Sequence, residues 1–382
     1  MIHPPDSTPG SDHSGFPIPL HSDTASLPTA GMRAFMAAAP VGDEQRGEDP
    51  SVKALESVMA EALGHEAAVF LPSATMANQI AVRLHCRQGE EAICHELAHM
   101  VHWEAGSMAA LSGVQPRLLS GPRGCFAVEA VEAALRGSNL HHPPTTLVAV
   151  ENTTNMGGGA CWALVDLHRL RDLATSRSFA MHCDGSRLMN AAVVRAAQLR
   201  PAPAGTPRAS ILKAAAELAW PFDTITVCCS KGLGAPVGAV LVGSAQLMAR
   251  ARRLKHQFGG AMRQAGIIAA GALYAFEHHL ERLETDHHHA RLLAAGLRGI
   301  DGLTLPDSAP ETNIVMPEIG EPIDPNRLAE DLRRRGVGCF AYGRRVRFVT
   351  HLGVDAPMIE KALETIREVI GRLRAATPTL RA

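Results

Sequence analysis

The sequence predicts an α/β fold in which a mostly parallel sheet lies between layers of helices and is followed by a small C-terminal α+β domain. Short apolar runs alternate with helical patterns to about residue 242, and this alternation is typical of strand–helix–strand units. Several runs are continuously apolar, as expected of strands covered on both faces. Aromatic residues are only 4% of the chain, whereas Gly and Ala are abundant, and small residues allow helices to pack closely on a sheet.

The first elements can be placed from capping signals and apolar runs. Thr29 can cap a helix that begins at Ala30, and Asp49-Pro50 opens a second helix through Ala62, because Pro is favoured in the first turn. A further helix begins near Met76. Strands are predicted at Ala67–Leu71, Glu91–Cys94, Thr146–Val150, Phe179–Cys183, Thr224–Cys228 and Ala239–Val242, and a helix at Ser210–Ala219 follows a Pro-rich surface loop at Pro201–Pro207.

The pattern changes near residue 300, after a long and possibly interrupted helical region at Gly266–Arg298. Strands at Asn313–Met316 and Arg345–Thr350 then alternate with helices at Pro325–Arg335 and Ala356–Ala375. We therefore divide the chain into an N-terminal tail (1–20), a large ligand-binding domain (21–300) and a small C-terminal domain (301–382).

Composition excludes several classes of function. The net charge is −1 and there is no Lys/Arg block, so neither nucleic acid nor a membrane surface is indicated as a partner. No apolar run approaches the roughly 20 residues of a membrane span, and the polar residues 1–15 lack the order of a signal peptide. Eight cysteines without a CxxC motif indicate reduced core residues and a cytoplasmic location.

Two polar motifs follow two of the predicted strands, HCDGSR at residues 182–187 and CSKGLG at residues 229–234. Asp184 and Lys231 would then lie at the carboxyl ends of their strands, where open α/β sheets bind ligands. A Lys amine that bonds to the cofactor and an Asp that pairs with the pyridinium nitrogen are what pyridoxal 5'-phosphate (PLP) requires. Alone, each residue is more typical of a turn or a solvated loop; together, with Arg187 close behind, they predict a PLP enzyme.

Longer motifs carry a family resemblance over nearly the whole chain. They are Ser22-Asp23-Thr24, Val41-Gly42-Asp43, Gly47 to Pro50, Ser73 to Gln79, Leu111-Ser112-Gly113, Glu151-Asn152-Thr153, His182 to Arg187, Ser230 to Gly238, Met262 to Gly266 and Arg347 to His351. On these residues the chain resembles the low-specificity threonine aldolases of the β-eliminating-lyase group. The resemblance implies PLP fold type I, the fold of aspartate aminotransferase.

The resemblance also implies how the cofactor is held. Ser73-Ala74-Thr75 joins a strand to a helix, so that free backbone N–H groups at the helix N-terminus can bind the phosphate. His99 matches the family histidine that stacks on the pyridine ring. Arg263 matches an arginine near the phosphate that a neighbouring subunit donates, which implies a homo-oligomer, dimer or tetramer, with shared active sites.

The implied substrate is a small amino acid. Arg187 and Arg347 match the family arginines for the α-carboxylate, which a guanidinium can bind through two parallel hydrogen bonds, and Ser22 would donate another. The implied reaction cleaves an L-β-hydroxy-α-amino acid to glycine and an aldehyde, with a water or His99 receiving the hydroxyl proton. PLP-dependent β-elimination or dehydration, and a non-catalytic regulatory PLP protein, remain as alternatives.

Departures from the family pattern concern the substrate. Arg46 stands where the family has a Tyr that lines the partner's site, and Thr154 stands where it has the His that contacts the β-hydroxyl. His21 replaces the Arg that usually precedes Ser-Asp-Thr. These changes predict that threonine is a poor substrate and that a larger or acidic β-substituent is preferred.

A cluster of histidines, HHH at residues 287–289 with His278 and His279, raises the question of a metal site. Consecutive residues on a helix point in different directions, whereas a metal needs convergent ligands. The sequence therefore predicts a solvated helix face here and no metal.

Overall fold

The computed structural model describes residues 15–136, 139–199 and 205–376. Most of the Pro-rich loop predicted at Pro201–Pro207 therefore lies outside the described residues. The described α-helices are α1 Ala30–Ala37, α2 Pro50–Leu63, α3 Ala74–His85, α4 His99–His102, α5 Ser107–Ser112, α6 Val128–Ala134, α7 Leu164–Arg177, α8 Leu188–Leu199, α9 Arg208–Ala219, α10 Ala245–Gln257, α11 Gly266–His278, α12 Leu283–Arg298, α13 Pro325–Arg334 and α14 Ala356–Ala376. The described strands are β1 Ala67–Leu71, β2 Glu91–His95, β3 Gln115–Leu119, β4 Thr145–Glu151, β5 Ala180–Gly185, β6 Thr224–Cys228, β7 Ala239–Gly243, β8 Leu303–Thr304, β9 Ile314–Val315, β10 Glu318–Ile319, β11 Phe340–Tyr342 and β12 Arg345–Val349.

The main sheet has seven strands in the order β1-β7-β6-β5-β4-β2-β3. The pairs from β3 to β6 are parallel, and β7 runs antiparallel to both of its neighbours, β1 and β6. All strands except β7 therefore end at the same edge. This arrangement confirms the predicted mostly parallel sheet and brings the segments after β1, β2, β4, β5 and β6 together at that edge.

Strand β3 is the element of this sheet that the sequence analysis missed. It lies at the sheet edge and pairs only with β2 in the described sheet, and its side chains are either half-buried or exposed. On the edge that faces no neighbouring strand, backbone N–H groups are not required for pairing, and β3 therefore tolerates Pro116. Its sequence, QPRLL, therefore lacks the continuous apolar run that marks the central strands.

A second, antiparallel sheet contains the strands β11-β12-β10-β8, with β9 also paired to β12. It has its own apolar core, formed with α12, α13 and α14. Two residues within the predicted tail pack here: Ile18 and Leu20 are buried, and Ile18 pairs with Val337. The division of the chain at residues 20 and 300 stays a prediction.

Helix starts agree with the capping signals in the sequence. Thr29 and Asp49 accept hydrogen bonds from the first turns of α1 and α2, at Met32 N and Val52 N. The Asp49 carboxylate also accepts from Gly266 N at 2.8 Å, so one side chain joins the starts of α2 and α11. The long helical region predicted at Gly266–Arg298 is two helices, α11 and α12.

The prediction of a solvated histidine face is wrong for three of the five histidines. His279, His287 and His289 are buried, while His278 and His288 are exposed. The His287 ring pairs with Asn190 at 3.0 Å, and His279 Nδ1 lies 2.7 Å from the Leu233 carbonyl oxygen. α12 packs against α8 and also against α14, so His287 and His289, which point to nearly opposite sides of the helix, are both buried.

The cysteines are consistent with the sequence analysis. All eight thiols are free, six are buried, and Cys125 and Cys161 are half-buried. In the part of the chain that the structure describes, no helix combines the length and hydrophobicity that crossing a bilayer requires.

Burial of His287 predicts a pH-dependent stability. Burial, with the nearby Arg291 and Arg282, lowers the pKa of His287 from 6.5 to about 3. Below pH 6.5 the unfolded chain therefore binds a proton that the folded chain cannot, and stability is lost as the pH falls toward 3. We expect wild type to lose about 1.4 kcal/mol per pH unit more than His287→Gln, whose amide can still pair with Asn190.

The measurement is urea unfolding of both proteins at pH 7.5, 5.5 and 4.5. His288→Gln serves as the control, because His288 is exposed on the same helix. Parallel stability curves for wild type and His287→Gln would contradict the assignment of a neutral, buried His287.

Candidate active site

The candidate site forms where β4, β5 and β6 end. Asp184 and Gly185 are the last residues of β5, and Lys231 follows β6 by three residues. A Cβ on Gly185 would lie 2.6 Å from the Thr226 carbonyl oxygen, so only glycine fits beside β6. This close approach sets Asp184 next to the segment that carries Lys231.

Asp184 is fully buried and ionised. Its Oδ2 accepts a hydrogen bond from Asn78 Nδ2 at 2.9 Å, and its Oδ1 accepts from the Ser186 hydroxyl at 2.7 Å. Burial alone would raise the pKa of Asp184, but the charges of Lys231 and His99 and the hydrogen bond from Ser186 outweigh burial and lower it. A carboxylate held in this way can pair with a cationic ring nitrogen.

Side chains from other parts of the protein contact three successive backbone carbonyl groups of the loop that carries Lys231. Ser26 Oγ donates to the Lys231 carbonyl at 3.2 Å, Arg282 lies 3.5 Å from the Gly232 carbonyl, and His279 contacts that of Leu233. The Lys231 side chain is only half-buried. The loop is therefore fixed while the amine stays accessible.

Ser73-Ala74-Thr75 opens α3 at the same edge. Ser73 is the N-cap of α3, and its hydroxyl accepts from Met76 N at 3.2 Å. Helix N-termini present unpaired backbone N–H groups and the positive end of the helix dipole. The predicted phosphate-binding residues thus form such a terminus, although the helix starts two residues before the predicted Met76.

His99 begins α4 above the sheet edge, with 28% of its side chain exposed. Its backbone N–H donates to Glu151 Oε2 at 2.7 Å, and its ring Nδ1 lies 2.9 Å from Glu104 Oε1. Burial opposes protonation, but the hydrogen bond to Glu104 and the charges of Asp184 and Glu104 raise the pKa of His99 above its ordinary value.

Arg187 is buried and engaged by a carboxylate of its own chain. Its Nε and Nη2 donate to the two oxygens of Asp23 at 2.6 and 2.8 Å. Burial would raise the pKa of Asp23, but the Arg187 guanidinium outweighs burial and holds it well below its usual range. Asp23 thereby fixes the orientation of Arg187.

Arg347 is buried and contacts neutral acceptors. Its Nη1 donates to Asn155 Oδ1 at 2.7 Å and its Nη2 to the His21 carbonyl at 3.2 Å, while its Nε has no partner among the described residues. Burial, together with the charge of Arg187, lowers the pKa of Arg347. A buried guanidinium with an unsatisfied N–H favours binding of an anion.

Ser22 and Thr154 make contacts within the protein. The Ser22 hydroxyl caps the short turn at Asp23–Ala25 and lies 2.7 Å from the Thr24 hydroxyl. Thr154 is buried, and its hydroxyl donates to the Arg123 carbonyl at 2.9 Å. The Thr154 hydroxyl proton is therefore directed at the backbone of its own chain, whereas the Ser22 oxygen acts as the acceptor of the Thr24 N–H.

Arg46 and Arg263 meet at a different place, the carboxylate of Asp43. Arg263 Nη1 donates to Asp43 Oδ2 at 3.1 Å, and Arg46 Nε lies 3.8 Å from the same oxygen. The Arg263 side chain is 63% exposed and the Arg46 side chain is 74% exposed. These two predicted site residues therefore form a surface cluster in the single chain.

Four residues around the site were not singled out from the sequence: Asp23, Asn78, Glu104 and Glu151. Three of them fall inside motifs used for the resemblance, so their motif membership was a usable signal. Glu104 lies in none of those motifs and has no such signal.

Electrostatic contacts connect the residues at the sheet edge. Lys231 lowers the pKa of both Asp184 and Asp23, and Asp23 binds Arg187, whose charge acts on Arg347. The fold and site define an α/β enzyme with a lysine, an aspartate and two arginines gathered at the carboxyl edge of a mostly parallel sheet. This is the arrangement suited to a cofactor and a small anionic substrate.

Comparison with known proteins identifies the family. The beta-eliminating lyase family model matches residues 19–321, and the chain belongs to this family. It is 37% identical to the probable low-specificity L-threonine aldolase 2 of Arabidopsis thaliana over 361 residues, which are 92% of this chain and 97% of that protein. It is 36% identical to the low specificity L-threonine aldolase of Escherichia coli O157:H7 over 358 residues, 93% of this chain and 100% of that protein.

A solved structure of Leishmania major threonine aldolase has the same fold, with a TM-score of 0.76 at 20% identity over 93% of this chain and 100% of that one. This likeness confirms the predicted fold class, with its small C-terminal domain beside the main sheet.

The buried ion pair at Asp23 yields a prediction for stability. Asp23→Asn leaves the Arg187 guanidinium buried without its countercharge, so we expect the free energy of unfolding to fall by about 3–5 kcal/mol. The control is Glu132→Gln, which removes the surface pair with Arg177, both side chains being 56% exposed. That change should cost no more than about 1 kcal/mol. Urea unfolding measures both, and equal losses would contradict the argument.

Proposed function

We propose that this chain is a PLP-dependent aldolase that cleaves an L-β-hydroxy-α-amino acid of the threonine type to glycine and an aldehyde. The observation that carries the proposal is the placement of Asp184 and Lys231 at neighbouring strand ends, close enough for the Lys231 charge to lower the pKa of Asp184. Family membership and the names of the relatives support it.

The residues present fit PLP. Asp184 is an ionised acceptor at the base of the site, Lys231 offers an accessible amine, and the N-terminus of α3 offers free backbone N–H groups. His99 would contact the ring. When bound, PLP supplies an electron sink that stabilises the negative charge left on the substrate Cα after bond cleavage.

Arg347 would bind the substrate carboxylate. Arg187 is already neutralised by Asp23, whereas the hydrogen bonds of Arg347 go to neutral oxygens and leave its charge uncompensated. A carboxylate would supply that charge and satisfy the unpartnered Nε. Arg187, paired with Asp23, would then not be the principal contact of the carboxylate.

His99 would take the proton from the β-hydroxyl. As the proton leaves, the Cα–Cβ bond breaks, the β-carbon becomes the aldehyde carbonyl, and a proton delivered to Cα completes glycine. Substrate atoms are conserved without added water. An imidazole at the site edge is suited to this task because it can both accept and return a proton.

Arg46 and Arg263 support an assembly with shared sites. Both side chains are more than half exposed and lie together at Asp43, where a neighbouring subunit could place its phosphate-binding edge. We propose a homo-oligomer, dimer or tetramer, located in the cytoplasm, where free thiols persist.

The test of the cofactor and reaction is Lys231→Ala. Wild type should show an absorbance band from bound PLP and form glycine plus aldehyde, and the variant should lose both. Lys53→Ala, an exposed lysine on α2, is the matched control and should retain both. A wild-type protein that takes up no PLP would contradict the proposal. Formation of ammonia and a keto acid would indicate β-elimination instead of aldol cleavage.

Specificity is tested at positions 154 and 46. Loss of a hydrogen bond to the substrate hydroxyl costs about 1–3 kcal/mol, or roughly one to two decades in rate. We expect Thr154→His with Arg46→Tyr to raise kcat/KM for threonine by roughly tenfold or more relative to β-hydroxyaspartate. The panel is threonine, allo-threonine, phenylserine and β-hydroxyaspartate, with each single variant as a control. An unchanged preference would remove both positions from this role.

A further inference from the structure

Glu104 is a buried carboxylate with an unusual set of partners. Its side chain has no solvent exposure, and neutral amides supply two of its hydrogen bonds. Oε1 accepts from Asn78 Nδ2 at 2.9 Å and faces His99 Nδ1 at 2.9 Å, while Oε2 accepts from Gln79 Nε2 at 2.6 Å. A carboxylate is costly to bury unless its oxygens are satisfied in this way.

Asn78 extends this set of contacts to the base of the site. The same Nδ2 group that donates to Glu104 also donates to Asp184 Oδ2 at 2.9 Å. Its Oδ1 faces His182 Nε2 at 3.3 Å, and His182 is hydrogen-bonded to Thr224. His99 and Asp184 are therefore joined through one carboxylate and one amide.

The three side chains His99, Glu104 and Asp184 lie close enough together to hold a metal ion. The Asn78 amide nitrogen, however, contacts both carboxylates, at the place that a cation between them would need. An amide N–H is a donor and cannot coordinate a metal. The cluster is consequently a hydrogen-bonded one.

We propose that Glu104 is the positioning residue of His99: it fixes the ring with Nδ1–H directed at the carboxylate and leaves Nε2 as the nitrogen that accepts the substrate proton. The proposal rests on the proposed function for its catalytic consequence. A base oriented by a third group is a recurring arrangement in enzymes, because orientation and tautomer then need no adjustment during the reaction.

The charges that face His99 are those of Glu104, Asp184 and Lys231, and Glu151 accepts its backbone N–H. Glu104 and Asp184 stabilise the protonated ring, whereas burial and Lys231 oppose it. Removing the Glu104 charge should therefore make His99 a weaker base. The acid limb of the activity profile, where His99 becomes protonated, should move to lower pH, and the maximal rate should fall.

Glu104→Gln tests this with little change in shape. The new amide can still accept from Asn78 and face His99, and its NH₂ group can donate to Gln79 after that side chain flips, because Gln79 Oε1 is buried without a partner. Glu96→Gln is the matched control, since Glu96 is exposed and lies three residues before His99.

The primary readout is ¹⁵N NMR of the histidines in the full chain, with and without PLP, and with His99 assigned by comparison with His99→Asn. We expect the pKa of His99 to fall by roughly one unit or more in Glu104→Gln and to stay unchanged in Glu96→Gln. In the loaded enzyme we expect kcat to fall roughly ten- to a hundredfold, with KM and cofactor absorbance little changed.

An unchanged His99 pKa in Glu104→Gln would overturn the proposal. If that variant does not fold, the wild type still decides, because the ¹⁵N shifts of neutral His99 must report the Nδ1–H tautomer, and the Nε2–H tautomer would exclude the assigned hydrogen bond. These NMR results do not depend on catalysis. A chain that shows the tautomer and pKa shift but cleaves no amino acid would retain the positioning role and lose only the proposed function.

Discussion

The buried pair of Asp23 and Arg187 joins three parts of the chain that are far apart in sequence. Arg187 follows the carboxyl end of β5, Asp23 belongs to the N-terminal segment, and Asn313 beside β9 lies 3.3 Å from the same carboxylate. Neither charge is stable in the interior without the other. The segment before α1 must therefore dock at the end of β5 for this pair to form, and Asn313 links the pair to the antiparallel sheet.

The other buried carboxylates at the sheet edge are also stabilised by partners within the protein. Asp184 is stabilised by Lys231, and Glu104 by His99 and two amides, so each carboxylate at the sheet edge has a partner. Arg347 is the exception among these groups, since its hydrogen bonds go to neutral oxygens and its guanidinium lies over the Tyr342 ring. Under the proposed function, the substrate carboxylate would supply the countercharge that Arg347 lacks.

The sequence was sufficient for the elements with strong local signals. Continuous apolar runs located the central strands, and Thr29 and Asp49 located helix starts, because burial and capping are local consequences of composition. The same reasoning missed β3, whose edge position allows Pro116 and polar side chains. It also treated His287 as solvated, because the partner that buries it, Asn190, is 97 residues away.

The site shows the same limit. The positions of Asp184 and Lys231 at strand ends could be predicted because an apolar run followed by polar residues marks the end of a strand. The pairing of Asp23 with Arg187, in contrast, depends on the tertiary fold. Thr154 illustrates this most clearly. Its hydroxyl is bound to the Arg123 carbonyl, and Cβ atoms added at Gly124 and Gly157 would lie only 2.8 and 2.4 Å from Thr154 atoms. The small side chain of Thr154 thus lets the Arg123 turn and Gly157 pack closely around it. The shape of the β-side of the pocket is accordingly set by loop packing as well as by the identity of residue 154.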